Sequence, residues 1–260
     1  MSQSGAVAET ARGVARSTTF GAERNPARLV AFSDAVFAIS ITLLVLEISP
    51  PEDTRHLAHG LATLWPSYLA YALTFLLIGQ VWANHHVMFD HLRGTDWVVL
   101  LLNTLLLMNI AFLPFAASVL AAAFRDGHGQ RTAVVFYGFA LGLAASLLNA
   151  IWGYASRGRR LLSTTVDPAA ARAIGRRFRL APLWIAAGIL LGALLPVLGV
   201  AVITALIPFY WLPIPGEIAR AKRRRGGDGQ ERPRDACGRG LVSVAARRSQ
   251  EDHHPTRPDQ

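Results

Sequence analysis

The sequence predicts an all-α integral membrane protein with six transmembrane helices. Of its 260 residues, 52% are hydrophobic and only 17% are charged, whereas an ordinary soluble domain carries about 25% charged residues. The charges are also segregated, because long stretches contain none and arginines crowd into a few short segments. A chain whose solvent is lipid has this pattern.

The net charge of +9 has a topological explanation. Most of the positive charge lies within a few residues of an apolar run, where retention on the cytoplasmic side of a membrane accounts for it. We therefore expect no nucleic-acid partner. Cys237 is the single cysteine, so neither an intrachain disulfide nor a multi-cysteine metal site can form.

The first apolar run defines span one, at about residues 29–48. It follows an arm, residues 1–26, that is rich in small residues and arginine and is predicted to be flexible and cytoplasmic. The run has about 20 residues, enough for roughly 30 Å of helix, and exceeds the core of a signal peptide, about 7–15 residues. Pro50 and Pro51 end it, because proline lacks the amide proton that would continue the helix.

Five further spans follow, with a long basic loop between the fourth and the fifth. The loop, residues 156–179, is predicted to hold a short interfacial helix after Asp167 and Pro168. The last apolar stretch is too long for one span and has proline and glycine near residues 195–199, so it is divided into two short helices. Residues 27–215 form the membrane domain, and 216–260 form a basic tail predicted to be disordered. The five later spans are at about 61–89, 97–124, 132–155, 180–196 and 198–215.

Orientation follows from the lysines and arginines at the ends of six spans. One side of the membrane receives only Arg55, Arg125 and Arg131, and the other receives most of the rest, including the basic loop and the basic tail. The positive-inside rule then places both termini in the cytoplasm. The protein is expected to be a multi-pass protein of the cell membrane.

Polar residues inside the spans mark the candidate site. Asp34 lies in span one, where a carboxylate is costly unless it has partners. It either snorkels to the interface or joins a buried network with Ser33, Arg28 and groups from spans two and three. Asn103 in span three, Trp82 in span two, and one of the neighbouring residues His85 and His86 are candidate partners.

An alternative interpretation of the polar residues near the end of span two is a metal site. His86 and Asp90 are four residues apart and can share a helical face. No partner cluster with ligand spacing occurs in another span. We therefore expect no bound metal and no cofactor.

Two motifs resemble the transmembrane-protein-175 family of potassium channels, over about residues 24–215. One is the arginine, Phe-Ser-Asp triplet and Ile-Thr-Leu-Leu-Val-Leu-Glu run of span one, and the other is the Leu-Pro-Phe ending of span three. The residues concerned are Arg28, Phe32, Ser33, Asp34, 41–47, Asn103 and 113–115.

The resemblance implies a K⁺ channel whose pore is lined by the first helix, and not an enzyme. It implies no pore loop, and no Thr-Val-Gly-Tyr-Gly filter occurs in the sequence. One six-span repeat per chain implies a homotetramer in the lipid bilayer. The Phe-Ser-Asp residues are implied to anchor the first helix to its neighbours. The expected anchoring set is Arg28, Phe32, Ser33, Asp34, Trp82, His85, His86 and Asn103.

Helical spacing can be considered without the family. Ala35, Ile39, Thr42, Leu43 and Leu46 recur at steps of three and four residues and so share one face. Around a shared axis, Ile39 and Leu46 would form apolar rings that block ions by dewetting, with a ring of Thr42 hydroxyls between them. On spacing alone, ordinary helix packing explains the same stripe.

Two other functional classes have less support in the sequence. A secondary transporter of a small cation or proton is the alternative to a channel, but span one is unbroken and no inverted repeat is visible. An intramembrane enzyme would need catalytic residues in the spans. Neither a Gly-x-Ser-x-Gly nor a His-Glu-x-x-His motif occurs.

Overall fold

The computed structural model describes residues 25–51, 55–159, 161–164 and 166–211. Most of the predicted amino-terminal arm, the whole predicted tail and the end of the predicted sixth span lie outside these residues. The described residues are almost entirely helical, and they include an isolated bridge between Leu92 and Leu162. The prediction of an all-α protein is confirmed.

Eight helices are described in chain order. They are α1 (Pro26–Leu43), α2 (Leu57–Thr63), α3 (Trp65–Asp90), α4 (Trp97–Asp126), α5 (Gln130–Ser156), α6 (Pro168–Leu194), α7 (Pro196–Thr204) and α8 (Leu206–Trp211). A 3₁₀ turn, Leu44–Glu47, continues α1 without a break. Five helical segments of the described residues are long and apolar enough to cross a membrane: α1 with its 3₁₀ turn, α3, α4, α5 and most of α6.

Local signals in the sequence explain where three of the long helices begin. The side chains of Asn25 and Asp167 cap α1 and α6, and in each case proline occupies the first helical position. The side chain of Asp96 accepts hydrogen bonds from the backbone amides of Val98 and Val99, at 3.1 and 3.0 Å, and so begins α4. Such caps satisfy amides that have no partner inside the helix.

Helix α6 differs from the prediction of an interfacial helix followed by a separate span. It runs without interruption from Pro168 to Leu194 and includes Pro182. Its amino-terminal turns carry arginines and its remaining turns are apolar. The change in composition therefore marks a change of surroundings along one helix and not the end of that helix.

The core lies where α4 packs against α5 and both face the other long helices. Leu106, Ile110 and Leu113 of α4 are fully buried, as are Val134 and Ile151 of α5. Among the described long helices, α1 packs chiefly against α3 and α4. One face of α1 is therefore left uncovered by the helices that the structure describes.

Close backbone approach joins α6 to α7. A Cβ atom built on Gly199 would lie 2.3 Å from the Cα atom of Gly192 and 2.8 Å from the carbonyl oxygen of Gly188. Only glycine fits between the two backbones at this distance. The two glycines of α6 are spaced in the small-xxx-small pattern that permits such contacts in membranes.

Candidate functional site: two faces of the first helix

Helix α1 has a buried face and an exposed face. Ser33, Phe37, Ser40 and Leu44 are at most 1% exposed and recur at steps of three and four residues. The opposite side carries the predicted stripe. Every member of the stripe is exposed within the chain: Ala35, Ile39, Thr42, Leu43 and Leu46.

A chain of hydrogen bonds between buried side chains anchors the first face. The Nδ2 atom of Asn103 donates to the Oγ atom of Ser33 over 3.0 Å, and Ser33 Oγ itself donates to the carbonyl of Leu29 over 2.8 Å. His85 Nε2 lies 2.9 Å from Asn103 Oδ1. Because that amide oxygen can only accept, Nε2 of His85 carries the proton. One residue from each of α1, α3 and α4 thus forms a continuous polar contact.

Asp34 forms a second contact, nearer the surface of the chain. The indole Nε1 atom of Trp82 donates to Asp34 Oδ1 over 2.9 Å. His86 Nδ1 lies 3.5 Å from the same oxygen, and both side chains are more than a third exposed, at 38% and 39%. The rings of Trp82 and His86 also contact each other, with centroids 5.0 Å apart. Asp34 is therefore partly exposed, with partners in α3, and it does not join the buried network of Ser33.

The two histidines have different roles, which the sequence could not distinguish. His85 is fully buried in the network with Ser33 and Asn103, and His86 lies beside Asp34. Phe37, which sequence reasoning missed, packs its ring against that of His85 with centroids 5.5 Å apart. The sequence signal for its position is the spacing of four and then three residues from Ser33 through Phe37 to Ser40, which places all three on one face of the helix.

Two members of the predicted anchoring set lie outside both contacts. Phe32 is 60% exposed, and Arg28 is exposed near the start of α1. The structure therefore brings together Ser33 with His85 and Asn103, and Asp34 with Trp82 and His86. It does not bring Arg28 or Phe32 to them.

On the exposed face, Thr42 is the polar residue between two apolar levels. Its hydroxyl donates to the carbonyl of Ile39 over 2.8 Å. The single hydroxyl proton is therefore used inside the helix, and the oxygen lone pairs point away from it. Ile39 is 58% exposed and Leu46 is 74% exposed. This face therefore presents apolar side chains, with the Thr42 hydroxyl oxygen as a hydrogen-bond acceptor between them.

The described residues contain no group of three or more His, Cys, Asp or Glu side chains that could hold a metal ion. His91, near the metal candidates of span two, instead places Nδ1 2.6 Å from the carbonyl of Val87. Within α3, Trp82 and His86 contact Asp34 of α1, and His85 bonds to Asn103 of α4.

The fold and site define a class: a multi-span helical membrane protein in which interhelical hydrogen bonds join the first helix to its neighbours. The sequence profile of the family described as endosomal/lysosomal potassium channel TMEM175 matches residues 28–114. This match begins at Arg28 and ends at Pro114, so it contains both anchoring contacts.

Relatives extend the match beyond the first three spans. A protein named potassium channel from Streptomyces collinus is 39% identical over 158 residues, which cover 60% of this chain and 77% of that protein. Another from Chamaesiphon minutus is 40% identical over 159 residues, which cover 60% and 78%. The chain belongs to the TMEM175 family, a family of ion channels and not of enzymes.

A solved structure agrees with the family assignment. The crystal structure of a lysosomal potassium-selective channel TMEM175 homolog from Chamaesiphon minutus superposes with a TM-score of 0.65 at 35% identity. The similarity covers 72% of this chain and 96% of that one.

Proposed function

We propose that this chain is a potassium-conducting cation channel of the cell membrane, in which four copies place their first helices around one pore. Membership of the TMEM175 family supports the class of function. The observation that carries the pore assignment is the uncovered face of α1, on which Ile39 and Leu46 are exposed although the opposite face is fully packed.

In this proposal, the exposed face supplies both the gate and the ion contacts. Rings of Ile39 and Leu46 expel water from a narrow throat, and a dehydrated throat blocks ions. The Thr42 hydroxyl, whose proton is held by the helix, turns its oxygen toward the axis. Four such oxygens replace part of the hydration shell of K⁺. Leu43 extends the apolar lining beside them.

The anchoring contacts set the rotation of α1 and do not touch the ion. Ser33, Asn103 and His85 are fully buried on the side of α1 that faces α3 and α4. Asp34 is tied to Trp82 on the same side. A substitution that breaks either contact is therefore expected to change the assembly of the subunits and the direction in which the pore-lining face of α1 points.

We also propose six spans, with α7 and α8 together forming the last crossing and both termini cytoplasmic. The loops that follow α3 and α5 meet, since the Arg93 amide donates to the Leu161 carbonyl and the Ser163 amide to the His91 carbonyl, each over 2.9 Å. Because these two loops are separated by α4 and α5, their contact supports a chain that crosses the membrane once in each of those helices and returns to the same side. The arm, the membrane domain and the tail keep their proposed limits of 1–26, 27–215 and 216–260.

The proposal is tested with purified protein in liposomes under opposed K⁺ and Na⁺ gradients. A channel passes current without a coupled ion, and its reversal potential follows the K⁺ gradient. A reversal potential fixed by the stoichiometry of a second ion would indicate a transporter instead. An added pH gradient measures proton conductance in the same vesicles.

Ile39→Asn tests the gate in these vesicles. A polar ring stabilises water in the throat, so K⁺ leak rises about tenfold, corresponding to a barrier lower by about 1.4 kcal/mol. Val45→Asn is the matched control, because Val45 is 52% exposed on the same helix but lies off the stripe. Equal leak from the two variants would remove Ile39 from the pore.

A further inference from the structure

A cavity of about 740 Å³ lies between the last turns of α5 and the first turns of α6. Trp152, Gly153 and Ser156 of α5 contribute to one wall, and the amino-terminal residues of α6 contribute to the other. It is separate from the face of α1 and from both anchoring contacts, and the pore proposal gives it no role.

The charge of this cavity is strongly one-sided. Arg172, Arg176 and Arg179 all line it and are exposed. No Asp or Glu occurs among its described lining residues, and no ion pair found in the described part of the chain involves these arginines. At 100° per residue, steps of four and three keep them within about 60° of arc. Three guanidinium groups thus point to the same space.

The same stripe becomes apolar further along α6. Leu183, Leu190 and Leu194 fall within the same arc and are 68%, 71% and 69% exposed. They belong to the segment, Ala171–Leu194, that is apolar enough to cross a membrane. This face of α6 therefore has a cationic end at the membrane boundary and an apolar end inside the bilayer.

We infer that this cavity binds the phosphate headgroup of an anionic phospholipid, whose acyl chains lie along the leucines of α6. Arginine matches phosphate because its planar fork donates two parallel hydrogen bonds. Basic pockets between transmembrane helices are suited to anionic headgroups. The continuous leucine stripe favours a lipid over a soluble phosphate. The site is independent of the pore, and only its leaflet follows from the proposed orientation.

Native mass spectrometry of the purified full-length protein tests the site with three probes: phosphatidylglycerol, phosphatidylcholine and soluble glycerol 1-phosphate. We expect phosphatidylglycerol to bind more tightly than either of the others. Arg172→Gln with Arg176→Gln should weaken that binding about 30-fold, or roughly fivefold for each basic residue removed.

Two further variants separate charge at the site from charge in general and from loss of folding. Arg131→Gln with Arg157→Gln removes the same charge from exposed residues that do not line the cavity, and should retain phosphatidylglycerol binding. Ala173→Trp fills the cavity from an exposed lining position and should abolish binding with every arginine present.

Three outcomes would overturn the inference. Equal loss in the two arginine pairs would indicate diffuse attraction. Phosphatidylglycerol binding that survives Ala173→Trp would place the lipid elsewhere. Glycerol 1-phosphate that binds as tightly as phosphatidylglycerol would identify a soluble phosphate as the ligand and remove the role of the leucine stripe.

Discussion

The contacts that hold α1 differ in kind from those that hold α7. Helix α1 meets α3 and α4 through side-chain hydrogen bonds, chiefly the buried contact of Ser33, Asn103 and His85. Helix α7 meets α6 through close backbone approach at Gly192 and Gly199, beside one side-chain hydrogen bond from Trp184 Nε1 to the Val202 carbonyl, over 2.6 Å. A directional bond fixes how a helix is rotated, whereas a glycine contact fixes how near two helices lie. The helix proposed to line the pore is held chiefly by directional bonds between side chains.

The glycine contact should be the most sensitive to substitution. Gly199→Ala places a methyl group against backbone atoms that cannot move aside, so we expect destabilisation of about 3 kcal/mol or more. Thermal unfolding in detergent measures it. Gly79→Ala is the matched control, since nothing lies within 4 Å of a Cβ there, and it should be neutral or stabilising. Equal melting temperatures for both variants would show that α6 and α7 separate freely.

Asn103→Leu should have the second largest effect. The substitution keeps the side-chain volume close to the original but leaves the buried His85 Nε2–H without an acceptor, at a cost of about 1–3 kcal/mol. Thr104→Val on the same helix is the control, because the Thr104 hydroxyl bonds only within its own helix, to the Leu100 carbonyl. A melting temperature for Asn103→Leu no lower than that of the control would remove the network from the anchoring role.

Asp34→Ala should have the smallest effect on stability, about 1 kcal/mol, since the carboxylate is 39% exposed. Its larger consequence is for assembly, because the tie between Asp34 and Trp82 holds the amino-terminal part of α1. Crosslinking in membranes should reveal fewer complete oligomers. Asp34→Asn, which keeps an acceptor for the indole, should recover most of them. A fully assembled Asp34→Ala protein with altered ion preference would contradict the anchoring role.

Much of the fold follows from local sequence signals. Span three was expected at 97–124 and α4 runs Trp97–Asp126, because Asp96 caps its start and Gly127, with φ of 74°, ends it in a left-handed conformation. Span four was expected at 132–155 and α5 runs Gln130–Ser156. Caps and glycine act within a few residues, so one sequence is enough to locate them.

What the sequence left open depends on rotation and on distant partners. The spacing of His85 and His86 could not decide which one is buried, because that depends on how α3 is turned against Asn103 of α4. Similarly, Phe37 looked like any apolar residue of span one until its contact with His85 was known. The unbroken length of α6 was also missed, since a basic segment and an apolar one can belong to one helix when water and lipid meet along it.

The 3₁₀ winding of Leu44–Glu47 has a consequence for how Leu46 is aimed. A 3₁₀ helix has three residues per turn, so Leu46 stands above Leu43 in an eclipsed arrangement, about 6 Å further along. Rewinding these four residues to α geometry would swing Leu46 by about 60° relative to Leu43. A local change of helical pitch, without any tilt of α1, is therefore enough to rotate Leu46 away from the direction in which Leu43 points.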